Sequence, residues 1–272
     1  MVDNKSALAK SFMKSFFSGD FQPDSLQAYS HWIIPALVAT NESEWNALAT
    51  KWLADLRANK PVQYIFQKAF FGELELQVNE FTLIPRPETE ELCLLMKNHY
   101  HNHSHKTHLL DLGTGSGCIP LLLKHYHPEW YISGIDIQEG AIEVAKQNSK
   151  NLQLDVQFSV GNILELESLN SNVNILTSNP PYISEFEKLN IHENVLNFEP
   201  HIALFVKDKN PLIFYKKIAN LAERKIGKLD IWLEINSLLP NETAELFKKI
   251  GATEIITDYS GNPRFIFCSK QC

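Results

Sequence analysis

A glycine-rich segment at residues 111–117, DLGTGSG, constrains the fold of this chain more than any other feature. It follows the apolar residues 108–110 and precedes the apolar run CIPLLL at 118–123, in which Pro120 comes early. This order predicts a buried strand, a tight loop and a helix with proline in its first turn, where a missing N–H costs little. The unit is typical of α/β folds in which a ligand approaches the glycine backbone closely.

The spacing of the glycines narrows the class of ligand. The pattern is G-x-G-x-G, whereas dinucleotide-binding loops read G-x-G-x-x-G, and no Lys-Ser or Lys-Thr pair follows as in a phosphate-binding loop. Pyrophosphate binding is therefore disfavoured. A nucleotide-like ligand without that group remains compatible with the loop.

Three further strands are predicted downstream, and each ends at a residue suited to binding. Residues 130–137 contain Asp136, residues 156–160 lead into Gly161-Asn162-Ile163, and residues 173–177 lead to Asn179. Because the carboxyl ends of parallel strands share one edge of a sheet, we expect these positions to meet the glycine loop. Asp136 is expected to bind ribose hydroxyls and residues 161–163 to flank an adenine.

The tetrapeptide NPPY at 179–182 predicts a pocket of hydrogen-bond acceptors. Proline fixes its own backbone and lacks an N–H, so the carbonyls around it stay free for a ligand. The Asn179 side-chain oxygen and the Pro180 carbonyl can together accept both hydrogens of a planar NH2 group, while the Tyr182 ring covers its face. The alternative interpretation is a rigid Pro-Pro turn that ends a strand.

Three segments in this order resemble the class I S-adenosylmethionine-dependent methyltransferases that methylate amino groups: DLGTGSG, GIDIQEGAIEVAKQN and NPPYI. Further segments are similar to the PrmC/HemK family of release factor glutamine methyltransferases, namely PVQYI at 61–65, FFG at 70–72, LIPRPETE at 83–90, FEPHIAL at 198–204 and DYSGNPR at 258–264. The resemblance implies a Rossmann-like α/β sheet, with a small N-terminal helical domain joined to it by a β-hairpin.

The same resemblance implies the reaction and the site. S-adenosylmethionine would be the cofactor, and the methyl group would pass to the side-chain amide nitrogen (N5) of the glutamine in the Gly-Gly-Gln motif of peptide-chain release factors. Asn179, Pro180 and Tyr182 would be catalytic, and with Pro181 would bind the substrate. The cofactor would contact Gly113, Thr114, Gly115, Ser116, Gly117, Asp136, Ile163 and Asn179.

The chain departs from the family pattern at four positions. Asn236 stands where the family usually has Gly at the end of its fifth strand, and Leu239 lies where a Gln usually follows shortly after. Asn162 replaces a frequent acid and Ile163 a bulky aromatic. The last two changes predict altered contacts on the adenine side of the cofactor.

Three domains are predicted: a helical bundle at 1–70 that docks the release factor, a β-hairpin linker at 71–84 and a catalytic domain at 85–272. Apolar residues of the bundle recur at helical spacing, as in Leu8, Phe12 and Phe16 and again in Trp45 and Trp52. These aromatic residues are interpreted as core, with a docking face as the alternative.

Composition limits the other function classes. The chain has 272 residues and a net charge of −7. This negative charge disfavours a protein that binds along the phosphates of nucleic acid, and duplex DNA is therefore not expected as a substrate. Neither a signal peptide nor a membrane span is recognised, and four cysteines are too few for a disulfide scaffold. We expect a cytoplasmic monomer that does not bind membranes.

The histidine-rich stretch at 99–105 is interpreted as a solvated loop rather than a zinc site, and no metal is expected.

The sequence leaves the roles of some residues, and two other functions, open. The segment containing Arg86 and Glu88 can form a wall of the active site or an ordinary helix start, and Glu199 can lie on a substrate loop or merely at the surface. Besides the glutamine methyltransferase, two functions are compatible with the motifs. One is an adenine amino (N6) methyltransferase acting on a flipped base, and the other is a non-catalytic module that binds release factors or ribosomes.

Overall fold

The computed structural model of the chain describes residues 2–101, 107–206 and 210–271. The chain divides into two compact units, Met1–Lys68 and Ala69–Cys272. The predicted α/β class, with an N-terminal helical part and a β-hairpin, is confirmed. The hairpin consists of β1 (Lys68–Phe71) and β2 (Leu74–Gln77), so it begins inside the range predicted for the helical bundle.

The N-terminal unit is a helical bundle with its own apolar core. Core packing is confirmed for Trp45 and Trp52, two of the unit's three tryptophans, which are buried. On the first helix the buried residues are Ala9, Met13 and Phe17, one position after the predicted stripe, and Leu8 is exposed. The helices are α1 (Val2–Phe17), α2 (Pro23–Ala39), α3 (Trp45–Arg57) and α4 (Val62–Phe66).

The second unit is built around a seven-stranded sheet in the order β5-β4-β3-β6-β7-β9-β8. The five strands β3 to β7 pair in parallel, and β9 pairs antiparallel with both β7 and β8. Apolar runs such as 231–233 suit strands covered on both faces. The strands are β3 (His108–Leu112), β4 (Tyr131–Asp136), β5 (Gln157–Val160), β6 (Ile175–Ser178), β7 (Leu229–Glu234), β8 (Ala252–Thr257) and β9 (Pro263–Lys270).

Helices pack on the sheet through two clusters of buried apolar side chains. One cluster takes residues from α5, α6 and α7, and the other takes residues from α10 and α11. The helices of this unit are α5 (Pro87–His99), α6 (Cys118–Tyr126), α7 (Glu139–Leu152), α8 (Glu193–Phe198), α9 (His201–Leu204), α10 (Ile213–Arg224) and α11 (Pro240–Lys248).

The four predicted strands are confirmed with small shifts of their ends, and Pro120 is the third residue of α6. Of the histidine-rich stretch, His103 and His105 lie outside the described residues. Within the residues that the structure describes, no three His, Cys, Asp or Glu side chains are grouped closely enough to hold a metal ion. No helix in the described ranges is both long and apolar enough to cross a membrane.

Candidate active site

A cavity of about 450 Å³ lies at the carboxyl edge of the parallel strands. Its volume is in the range of small-molecule binding pockets. The loops that follow β3, β4, β5 and β6 all contribute to its wall, as the rule for parallel sheets predicts. Apolar side chains from more distant segments complete the wall, among them Phe81, Leu83, Ile202, Phe205 and Phe214.

The glycine loop presents its backbone to this cavity at Gly115. This residue has φ +54°, in the left-handed region that favours glycine, and a Cβ built on it would meet no heavy atom of the described chain within 4 Å. The open space at Gly115 is therefore where a ligand can approach the loop. Gly113, Thr114 and Ser116 also line the cavity.

Gly117 lies outside the cavity wall formed by the described residues, although the sequence predicted a cofactor contact there. A Cβ at Gly117 would lie 2.8 Å from the Phe158 ring and 3.2 Å from the Ala145 methyl group. The third glycine of the loop is thus required for close packing of the loop against α7 and β5.

Asp136, the last residue of β4, lines the cavity and anchors the glycine loop. Its Oδ2 accepts a hydrogen bond of 2.9 Å from the Gly115 N–H, and its Oδ1 accepts one of 2.9 Å from the Gln138 N–H. Burial raises the pKa of Asp136, and these backbone N–H groups partly counter the rise. Each oxygen keeps lone-pair capacity for a further donor, such as a ribose hydroxyl.

The segment after β5 forms another part of the wall, with Gly161, Asn162, Ile163 and Leu164 lining the cavity. The Asn162 side chain is engaged locally, because its Oδ1 accepts from the Leu164 N–H at 3.0 Å and caps the short 3-10 helix Ile163–Glu165. Ile163 is buried and stands against Gly113. The two departures from the family pattern at Asn162 and Ile163 thus lie in the segment that is predicted to flank the adenine.

The NPPY tetrapeptide begins directly after β6. Asn179 and Pro181 line the cavity, and the Asn179 Nδ2 group donates a hydrogen bond of 3.0 Å to Thr89 Oγ1. The described residues of the cavity wall do not include Pro180, which is buried, or Tyr182. The predicted contacts of Pro180 and Tyr182 with a substrate stay predictions.

Glu234, the last residue of β7, connects the two ends of this motif. Its Oε2 accepts a hydrogen bond of 2.6 Å from the Thr89 hydroxyl, and its Oε1 accepts one of 3.2 Å from the Tyr182 hydroxyl. Glu234 is only 1% exposed, and this burial raises its pKa, partly countered by Thr89, Arg264 and Tyr182. Burial, together with Glu234, also raises the pKa of Tyr182.

Sequence reasoning did not assign Thr89 or Glu234 to the site. A signal for Glu234 was present, because it is an acid at the end of the apolar run 231–233, the same pattern that identified Asp136. Thr89 carried no comparable signal, since it lies in the first turn of α5, where a polar residue is ordinary.

The segment before α5 is fixed to the cavity by a partly buried ion pair. Arg86, which lines the cavity, pairs with Glu199 Oε1 at 2.6 Å, and Glu199 Oε2 accepts from the Ile84 N–H at 3.3 Å. The Glu199 side chain is 1% exposed, so its interpretation as a surface residue is wrong. Glu88 lies outside the cavity wall of the described residues.

Asn236, the departure from glycine, binds the segment that follows NPPY. Its Nδ2 group donates to the Tyr182 carbonyl at 3.2 Å and to Glu187 Oε1 at 3.1 Å. Glu187 in turn accepts a hydrogen bond of 2.8 Å from the Ser184 N–H. A glycine at this position could make neither side-chain bond, so Asn236 adds an attachment for residues 184–190.

The hydrogen-bond acceptors, the apolar side chains and the open space of the cavity fit S-adenosylmethionine. The open backbone at Gly115 leaves room for a ligand, Asp136 offers free lone pairs to a ribose, and apolar groups at Ile163 and Leu164 suit the faces of an adenine. The Asn179 side chain lies at the same cavity, so a methyl donor and an amino acceptor can be held next to each other.

A family model described as a methyltransferase domain matches residues 103–226. A release factor glutamine methyltransferase from Flavobacterium psychrophilum is 42% identical to this chain over 219 residues, which cover 79% of this chain and 77% of that protein. A release factor glutamine methyltransferase from Bacteroides thetaiotaomicron is 35% identical over 222 residues, covering 79% of this chain and 78% of that protein.

Among solved structures, the hMettl16 catalytic domain in complex with a MAT2A 3′UTR hairpin aligns with a TM-score of 0.54 at 16% identity. The alignment covers 72% of this chain and 74% of that chain. At this level of identity the likeness concerns the fold alone, which is that of the class I methyltransferases.

Proposed function

Because the chain belongs to the release factor glutamine methyltransferase family, we propose that it methylates the side-chain amide nitrogen (N5) of the glutamine in the Gly-Gly-Gln motif of peptide-chain release factors. It is a methyltransferase, and its methyl donor is S-adenosylmethionine. We propose in addition which protein is the substrate and what individual residues do in the reaction.

One observation carries the assignment of the acceptor site. The amide of Asn179 uses its Nδ2 group to bind Thr89, which leaves Oδ1 as a hydrogen-bond acceptor at the cavity that the glycine loop and Asp136 also line. An acceptor at this place suits an NH2 group, such as the amide of a glutamine.

An amide nitrogen is a poor nucleophile, because its lone pair is delocalised into the carbonyl group. S-adenosylmethionine supplies the methyl group on a sulfonium centre that departs as a neutral thioether. We assign to Asn179 Oδ1 the task of accepting one N–H of the substrate amide, and to the Pro180 carbonyl the other. Holding both N–H bonds directs the lone pair at the methyl carbon, so positioning supplies most of the rate.

The transfer is then a single displacement without a covalent enzyme intermediate. The new N–C bond forms as the C–S bond breaks, the sulfur keeps the electron pair, and the nitrogen afterwards releases its surplus proton to water. We assign no proton transfer to a side chain of the chain.

We assign recognition of the folded release factor to the N-terminal unit. This unit has a separate apolar core and contributes no residue to the cavity wall formed by the described residues. Contacts remote from the reacting amide help to orient it, so they increase kcat as well as binding. A whole release factor should therefore be methylated far more efficiently than a short peptide containing the Gly-Gly-Gln loop.

The decisive experiment is mass spectrometry of purified release factor after incubation with the protein and S-adenosylmethionine. We expect a mass gain of one methylene unit on the peptide that contains the loop glutamine, and fragmentation should place it on N5. Asn179→Ala should bind the cofactor but transfer the methyl group very slowly. Methylation of an adenine-containing oligonucleotide, with the release factor left unmodified, would refute the proposal.

A further inference from the structure

We propose that Glu234 and Thr89 are positioning residues that determine which end of the Asn179 amide faces the cavity. The proposal rests on the proposed function in one respect, namely that Asn179 accepts an N–H of the substrate. It extends that function to two residues that contribute through Asn179 rather than by touching the reacting atoms.

The Thr89 hydroxyl has a single proton and can donate only one hydrogen bond. Arg264 and the hydroxyls of Thr89 and Tyr182 favour the ionised form of Glu234 against the effect of its burial. An ionised carboxylate can only accept hydrogen bonds, so the 2.6 Å bond between Thr89 Oγ1 and Glu234 Oε2 uses the hydroxyl proton. Toward Asn179 the hydroxyl oxygen then has only lone pairs to offer, and it can bind the NH2 end of the amide but not its carbonyl oxygen. The 3.0 Å contact with Asn179 Nδ2 is the bond that this polarity requires.

Burial makes this direction costly to reverse. Thr89 is 3% exposed and Glu234 is 1% exposed, so solvent has little access to replace a lost partner. The other carboxylate oxygen accepts from the Tyr182 hydroxyl, so one carboxylate is linked to both ends of the NPPY motif, directly to Tyr182 and through Thr89 to Asn179. The supporting groups also lie on regular elements, Thr89 in the first turn of α5 and Glu234 at the end of β7.

The consequence for catalysis follows from the symmetry of a primary amide. If the Asn179 amide were rotated by half a turn, its NH2 group would face the NH2 group of the substrate, and two donors would oppose each other. The substrate would lose an acceptor and meet a repulsive contact in its place. The Glu234 carboxylate excludes this arrangement because Thr89 cannot donate to both partners.

Glu234→Gln tests the polarity without changing the size of the side chain. A glutamine amide can donate to Thr89, which frees the hydroxyl proton for Asn179 Oδ1 and permits the rotated amide. We expect the single-turnover rate of methyl transfer to fall roughly ten- to a hundredfold, the scale for losing a group that orients a functional side chain without touching the reacting atoms. The affinity for S-adenosylmethionine, measured by calorimetry, should change less than about twofold, since the group acts on the acceptor side.

A second pair of variants keeps the test independent of whether Glu234→Gln folds. Thr89→Val retains the shape but removes the hydroxyl, and should slow methyl transfer to a similar extent, whereas Thr89→Ser should restore most of the rate. Thr243→Val is a matched control, because Thr243 is another buried threonine, bound to the Leu239 carbonyl and outside the cavity wall of the described residues. Thr243→Val should show how far replacing a buried threonine by valine lowers the stability, while the rate of methyl transfer stays at the wild-type level.

The proposal is overturned if Glu234→Gln and Thr89→Val transfer the methyl group at the wild-type rate. It is equally overturned if their rates fall only as far as that of Thr243→Val, or if Thr89→Ser fails to restore the rate. The proposed function fails separately, when the wild type leaves release factors unmodified and methylates an adenine-containing oligonucleotide. The same variants then test the positioning role on that substrate, since adenine also presents an NH2 group.

Discussion

Replacement of Asp136 by asparagine should weaken binding of S-adenosylmethionine while the fold is preserved. Each carboxylate oxygen already accepts one backbone N–H, from Gly115 or from Gln138, and keeps lone-pair capacity for one ribose hydroxyl. Asparagine keeps one acceptor oxygen and replaces the other with an NH2 group, which faces a backbone N–H. One charge-assisted hydrogen bond to the ribose is lost, and the glycine loop loses part of its anchor.

Hydrogen bonds to charged groups contribute about 1.5–3 kcal/mol, so Asp136→Asn should raise the Kd for S-adenosylmethionine by about ten- to a hundredfold. Isothermal titration calorimetry measures this Kd directly. Glu139→Gln is the matched control, because it removes one negative charge from an exposed position three residues away. Equal cofactor affinity in wild type and Asp136→Asn would refute the assignment of Asp136 to the ribose.

Three further predictions follow from buried or loop-binding groups. Arg86→Leu should lower the free energy of unfolding, measured by urea denaturation, by about 3 kcal/mol. The variant leaves the Glu199 carboxylate buried without its ion-pair partner and with the Ile84 N–H as its donor. Glu199→Gln leaves no buried charge unpaired, so its loss of stability should be clearly smaller. Burial raises the pKa of Asp111 to about 7, so Asp111 should contribute a loss of stability as the pH rises from about 4 to about 7, and Asp111→Asn should lessen this slope in denaturation at several pH values. Asn236→Gly should speed proteolytic cleavage within residues 184–190, because the bonds to Glu187 and to the Tyr182 carbonyl are lost; unchanged cleavage would show that Asn236 does not hold this segment.

Two parts of the site could be predicted from local sequence alone. The glycine loop follows the strand β3, and Asp136 is the last residue of the strand β4. A parallel sheet brings the carboxyl ends of such strands to one edge. The same pattern predicts Asn179 at this edge, and Asn179 lines the cavity. In each case the signal lies within a few residues of the functional group.

The loop glycines show where that reasoning reaches its limit. The pattern G-x-G-x-G treats its three glycines alike, but only Gly113 and Gly115 line the cavity, whereas Gly117 packs against Phe158 and Ala145. The distinction depends on which way each residue faces in the folded loop. A side chain from β5 and another from α7 decide it, and the motif contains neither.

Local patterns in the chain are enough to specify the α/β class, the position of the cofactor loop and the acceptor motif, because strand periodicity and turn-forming residues are encoded locally. Tertiary structure alone decided which groups hold the acceptor in place. Thr89 and Glu234 are 145 residues apart in the chain, and Arg86 and Glu199 are 113 apart, yet each pair is in hydrogen-bond contact. No local pattern specifies such a pairing, since it forms only when α5 and the end of β7, or the segments before α5 and after α8, are packed against the same sheet edge.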